Sequence, residues 1–288
     1  MAPVRSLAPA KVNLFLHVGP VAGDGYHPLA SLVAFADTGD GVTVEPSARL
    51  SLAVTGPFGR DLEDGGDNLI LKALRALGQA TGAGDPPVAV TLDKRLPVAA
   101  GLGGGSSDAG AALKGARDVL GLPLDDEALA DLAAGVGADG PMCLHARAAW
   151  AEGRGDRLTF EPRLPPLPAL LINPGVPSPT GAVYRAFDEG GAGAADRPDP
   201  PGDWRPSSVI DWLAAQRNDL EAPAVALQPE IGEALGEAAG LSGVRLVRMS
   251  GSGATVLALF DTVEAAAAAG RSLTLKRPGW WVRPTTLR

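Results

Sequence analysis

Residues 94–108 read K-R-L-P-V-A-A-G-L-G-G-G-S-S-D, and these residue types in this order can bind phosphate. Gly101, Gly103, Gly104 and Gly105 carry no Cβ and admit positive φ, so successive backbone N–H groups can turn toward one anion. Ser106 and Ser107 add hydroxyl donors at the end of the glycine run. A flexible glycine-rich turn is the plainer reading, and a single glycine pair would mean no more. Four glycines, two serines and a helix start at one strand exit favour a phosphate cradle. Known loops of this kind do not fit. The pattern G-x-x-x-x-G-K-[ST] fails because no lysine follows the glycines, and G-x-G-x-x-G begun at Gly101 meets Ser106 at its third glycine. The protein-kinase signatures H-R-D and D-F-G are absent.

The flanking segments supply the strand and the helix. Val88, Val90 and Leu92 alternate with Ala89, Thr91 and Asp93, the period of a half-buried strand. Ala109, Ala112, Leu113, Ala116 and Leu120 fall on one face of a helix. Near the N-terminus, residues 8–18 alternate Val12, Leu14, Leu16 and Val18 with Lys11, Asn13, Phe15 and His17. By itself, the row Lys11, Asn13 and His17 reads as an ordinary solvated strand face. G-D-G-Y-H-P at 23–28 reads as a loop, and further strands are expected at 31–36, 41–46 and 50–55. Asp67 or Asn68 caps a helix that buries Ile70, Ala73, Leu74 and Leu77. Pro123-Leu124-Asp125 begins another helix, with Leu129, Leu132, Ala133 and Val136 as its stripe. It ends in G-A-D-G-P, where Asp139 sits in a tight turn before the apolar run 142–144 and alone reads as a turn-former. His145 is expected at a strand end with no catalytic task.

A change of composition after Trp150 divides the chain into 1–155 and 156–288. The second part reads as a strand at 169–173, a short helix bearing Tyr184, and a Gly/Pro/Asp-rich loop at 189–206. Helices follow at 209–214, 219–227 and 231–239. The end is a strand at 244–249, the turn S-G-S-G-A, a strand at 255–260, an alanine-rich helix from Val263 and a strand at 280–283. Trp280 and Trp281 read as packing residues. Mixed helices and strands of this kind predict an α+β fold, not a barrel.

The chain has 288 residues, 45% of them hydrophobic and 20% charged, enough for a buried core in one large or two ordinary domains. A net charge of −8 without a basic cluster argues against nucleic-acid binding, so phosphate must be met by a local site. Cys143 is the single cysteine, which excludes an internal disulfide and suggests a reducing compartment. Neither a signal peptide nor an apolar run long enough to cross a membrane is visible, so a cytoplasmic protein is expected.

The run P-x-x-A-G-L-G-G-G-S-S resembles the phosphate loop of the small-molecule kinase family named for galactokinase and the homoserine, mevalonate and phosphomevalonate kinases. A-P-A-K-V-N-L-F-L, D-G-Y-H, D-N-L-I, K-R-L-P, G-A-D and M-S-G-S-G-A, in this order, resemble the branch acting on a cytidine diphosphate-linked methylerythritol. The resemblance implies a two-domain α+β fold with the active site in the interdomain cleft, the second domain being ferredoxin-like. It implies transfer of phosphate from ATP, with Mg²⁺ held mainly by the nucleotide and no protein metal ligands. Asp139 would be the base toward the substrate's 2-hydroxyl, and Lys11 would stabilise charge there. Tyr26 and His27 would hold the cytosine with Tyr184 as second aromatic, and Asn13 would contact the methylerythritol. Pro97, Gly101, Leu102, Gly103, Gly104, Gly105, Ser106 and Ser107 would surround the ATP phosphates, with Asn68 and Lys94 on the nucleoside side. A monomer or homodimer would serve. Two departures stand out. Gly140 replaces a bulky apolar residue and is expected to loosen the turn after Asp139, and no basic residue precedes D-G-Y-H. The rival readings are a sister kinase acting on homoserine or a mevalonate, and a non-catalytic nucleotide-binding relative.

Overall fold

The computed structural model describes residues 2–62, 68–191 and 193–288. Its strands are β1 (Val4–Asn13), β2 (His17–Val18), β3 (Leu29–Pro46), β4 (Ser51–Thr55), β5 (Val88–Asp93), β6 (Ala149–Gly153), β7 (Arg157–Phe160), β8 (Leu167–Asn173), β9 (Val244–Met249), β10 (Val256–Phe260) and β11 (Trp281–Leu287). Its α-helices are α1 (Leu69–Ala80), α2 (Gly104–Leu120), α3 (Asp126–Ala134), α4 (Gly140–His145), α5 (Thr180–Gly190), α6 (Pro206–Ala214), α7 (Glu221–Leu227), α8 (Pro229–Ala239) and α9 (Val263–Lys276). Two compact units result. The first comprises Met1–Lys11, Thr38–Val98 and Gly103–Ala146; the second comprises Val12–Asp37, Ala99–Leu102 and Arg147–Arg288.

In the first unit β5 pairs antiparallel with the latter half of β3, Val42 opposite Leu92, and parallel with β4. Val42, Val44, Val90 and Leu92 from the strands meet Leu74, Leu77, Leu113, Ala116 and Leu129 from the helices in one core. The helices begin where their caps dictate. Asn68 Oδ1 accepts from the Ile70 amide at 2.9 Å, and Asp125 Oδ1 accepts from Ala128 at 2.8 Å. Asp67, the alternative cap for α1, lies outside the described residues. The two strands expected at 31–36 and 41–46 are one, β3, eighteen residues long. The turn-prone T-G-D-G between them stays extended because the Asp40 side chain is tied down elsewhere, as described below.

In the second unit β8 lies between β10 and β11, with Ile172 opposite both Val256 and Val282, and β9 pairs with the far edge of β10. Leu170, Ile172, Val256, Ala258 and Phe260 bury against Ala234 of α8 and Leu273 of α9. The segment after Trp150 folds as the hairpin β6–β7, and β6 pairs with the first half of β3. This hairpin places Arg154 at its tip.

Candidate active site

Lys11 projects from β1 and its Nζ donates to Asp139 Oδ2 at 2.9 Å. Asp139 occupies the N-cap position of α4, yet its side chain caps no backbone amide. A turn-forming aspartate would spend its carboxylate on its own backbone; this one is directed at an ammonium. Lys11 is buried while the Asp139 side chain is 37% exposed, so the carboxylate can be reached from solvent. Gly140 does not loosen the turn. It is buried, and a Cβ there would overlap the backbone carbonyl of Ala133, so glycine lets α4 start hard against the end of α3. His145, expected at a strand end, closes helix α4, with Nε2 3.9 Å from Glu127 Oε2. The run 142–144 is helical because Pro141, in the first turn, pre-sets a helix start that the length of the run alone did not announce.

Gly101 and Gly103 adopt left-handed φ of 72° and 60°, and Gly103 is the residue from which α2 starts. The Ser107 amide makes the first helical bond, to the Gly103 carbonyl at 3.0 Å. By helix geometry the amides of Gly104, Gly105 and Ser106 have no intrahelical acceptor and face out of the helix end, where its dipole is positive. Ser107 Oγ is buried beside the Cys143 thiol and finds no strong hydrogen-bond partner. Leu102 turns into the core, 2% exposed, so only its backbone is available to a ligand. Pro97 is half-buried ahead of the loop. Burial pushes the Cys143 thiol up to about 12, which keeps it neutral packing material.

Lys94 is buried. Its ammonium donates to Asp40 Oδ2 at 2.6 Å and to Asp108 Oδ2 at 2.7 Å, and Asp40 Oδ1 accepts from the amides of Arg95 and Leu96. Asn68, for its part, commits Oδ1 to the α1 cap.

In the second unit the turn after β9 braces the start of the glycine loop. Ser250 Oγ donates to the Gly101 carbonyl at 3.1 Å and accepts from the Asn13 amide at 3.1 Å, and the Thr255 amide reaches the Ala100 carbonyl. Asn13 Nδ2 donates to Ser31 Oγ, which must itself donate to the Phe15 carbonyl. That chain fixes the amide orientation and leaves Asn13 Oδ1 as a buried acceptor without a partner. His17 is buried with Nδ1 on the Asp196 carbonyl, and burial lowers its pKa, so it is a neutral ring. His27 Nδ1 contacts the Gly19 carbonyl at 2.9 Å, and its ring lies 5.0 Å from that of Tyr184 on α5. Tyr26 is 55% exposed, and the Arg154 guanidinium stacks over its ring at 4.2 Å while pairing with Asp24.

Arg154 and Asp40 contact candidate residues, Tyr26 and Lys94, although no spacing in the sequence singled them out, while Ser250 belongs to the M-S-G-S-G-A stretch. Arg154 brings a cation to the segment that lacks a basic residue before D-G-Y-H. Its only local signal was the turn-like E-G-R-G-D.

A strand–glycine-loop–helix phosphate cradle and a lysine–aspartate pair set into an α+β framework define a small-molecule kinase. Residues 68–147 match the GHMP kinases N terminal domain and residues 208–276 the GHMP kinases C terminal domain, and the chain belongs to the GHMP kinase family. It is similar to the 4-diphosphocytidyl-2-C-methyl-D-erythritol kinase of Caulobacter vibrioides (strain NA1000 / CB15N), with 55% identity covering 97% of this chain and 98% of that one. The enzyme of the same name from Methylobacterium radiotolerans is 51% identical, with both chains covered completely. A crystal structure of 4-(cytidine 5'-diphospho)-2C-methyl-D-erythritol kinase superposes with a TM-score of 0.78 at 38% identity, covering 99% of each chain. Among the described residues no helix is long and apolar enough to cross a membrane.

Proposed function

We propose that the chain transfers the γ-phosphoryl group of ATP to the 2-hydroxyl of 4-diphosphocytidyl-2-C-methyl-D-erythritol. The full-length likeness to kinases of that name supports the acceptor, and the Lys11–Asp139 pair is the observation that carries the chemistry. Asp139 accepts the hydroxyl proton, the freed oxygen forms its bond to γ-phosphorus, and the bond from that phosphorus to the β,γ-bridging oxygen breaks to release ADP. Lys11 holds the carboxylate in place and offsets the negative charge that gathers around the reacting oxygens. Such transfers depend on positioning and electrostatics more than on covalent help from the protein.

The amides from Gly101 to Ser106 and the Ser107 hydroxyl receive the nucleotide phosphates. No group of three or more acidic, histidine or cysteine side chains that could hold a metal occurs among the described residues. Mg²⁺ keeps waters and phosphate oxygens as ligands and needs few from the protein. Ser107 Oγ, buried without a strong partner, is the oxygen placed to join them. When bound, the ion neutralises phosphate charge. Tyr26, with His27 and Tyr184, holds the cytosine by stacking, and Asn13 Oδ1 accepts from a hydroxyl of the methylerythritol. Residues 1–155 carry the phosphate work and 156–288 form the ferredoxin-like part in this reading. The single buried thiol suits a cytoplasmic enzyme, acting as a monomer or homodimer.

Coupled ADP release measured with the cytidyl substrate, homoserine, mevalonate and galactose tests the assignment. The cytidyl substrate is expected to turn over fastest; faster turnover of any of the other three overturns it. Arg154→Ala is expected to raise KM for the cytidyl substrate two- to five-fold and leave KM for ATP in place, since an exposed cation–π contact contributes about 0.5–1 kcal/mol. Equal KM values in variant and parent would separate Arg154 from the cytosine site.

A further inference from the structure

We propose that Asp40, Lys94 and Asp108 form a buried positioning triad that fixes the first turn of α2 against the end of β5, and that ATP affinity depends on it. The three side chains are 0%, 3% and 4% exposed. Each joins a different piece of backbone. Asp40 lies within β3 and its Oδ1 accepts from the amides of Arg95 and Leu96 at 2.6 and 2.8 Å, holding K-R-L in place just after β5. Lys94 then links that segment to Asp108, in the second turn of the helix that opens with Gly104. A Cβ on Gly104 would stand 3.0 Å from Lys94 Nζ, so the ammonium lies against the first helical residue of the phosphate cradle.

Stability alone is a poor reason for such an arrangement. Burying three ions carries a desolvation cost that apolar side chains of the same volume would avoid. What apolar side chains could not supply is a fixed register between β3, the 94–96 segment and α2, which directional bonds of 2.6–2.8 Å impose. The nucleoside-side role implied by family resemblance would need the Lys94 ammonium in contact with the nucleotide. Here both carboxylates hold it, and it acts on ATP through the loop.

The inference rests on the kinase reading only for ATP, so the main test is calorimetry with a non-hydrolysable ATP analogue and no acceptor alcohol. Asp40→Asn, Lys94→Met and Asp108→Asn are compared with the parent under one set of conditions. All three variants are expected to bind the analogue at least about ten-fold more weakly. In the turnover assay KM for ATP should rise by a larger factor than kcat falls. A direct nucleotide contact by Lys94 gives the opposite pattern, with Lys94→Met weakened and both aspartate variants normal, and overturns the proposal. So does a lowered melting temperature with analogue affinity intact. Should Lys94→Met fail to fold, near-isosteric Asp108→Asn decides alone. A parent enzyme that binds the analogue but leaves the cytidyl substrate unphosphorylated would defeat the function assigned above and leave the triad standing.

Discussion

Asp139→Asn is expected to lower kcat by about 10²–10⁴-fold while KM for either substrate moves little, because the amide keeps the shape and loses the base. The geometry makes the prediction sharp. The Asp139 carboxylate makes no cap bond to α4, so its replacement does not undo the helix start. It does remove a counter-charge 2.9 Å from a buried ammonium. Lys11→Ala is expected to cost a comparable factor, since the carboxylate then loses its anchor and the transition state its nearby cation. If both serve one proton transfer, the double variant falls little below either single variant. Single-turnover kinetics on the three, with circular dichroism to confirm the fold, measures this. Near-normal turnover in Asp139→Asn would return the residue to the role of a turn-former. Fully additive losses would mean that Lys11 and Asp139 act independently.

Gly103→Val is expected to weaken ATP-analogue binding by about 10²-fold, with affinity for the cytidyl substrate retained. The residue has φ of 60°, where an L-amino acid costs roughly 1–2 kcal/mol. A Cβ there would also stand 3.0 Å from Lys11 Cβ and 3.4 Å from Cys143 Sγ, and a β-branched side chain fills that space further. Relief comes by moving the start of α2, which re-aims the free amides of its first turn. Calorimetry on the folded variant reads the effect. Unchanged analogue affinity would place the nucleotide phosphates elsewhere.

Much of this was legible along the chain because its causes are local. The alternation at Val88, Val90 and Leu92 fixes β5, and Asn68 and Asp125 start their helices with bonds to amides two and three residues on. Four glycines followed by two serines mark the loop because the absent Cβ is itself what a phosphate needs. Local signals misled where packing overrode them. The T-G-D-G at 38–41 looked like a break between strands and stays extended, and the apolar run at 142–144 became a helix. The contacts that orient the site lay beyond any local pattern. Asp40 reaches Lys94 across 54 positions, Arg154 reaches Asp24 across 130, and Ser250 reaches Gly101 across 149. An aspartate in a turn-like tetrapeptide, an arginine at a hairpin tip and a serine before a glycine are each commonplace by composition. Residue types and short spacings marked the glycine loop as the candidate phosphate cradle; which buried charges lie behind it, and which cation covers Tyr26, was decided only when strand pairing and helix packing brought distant segments within bonding distance.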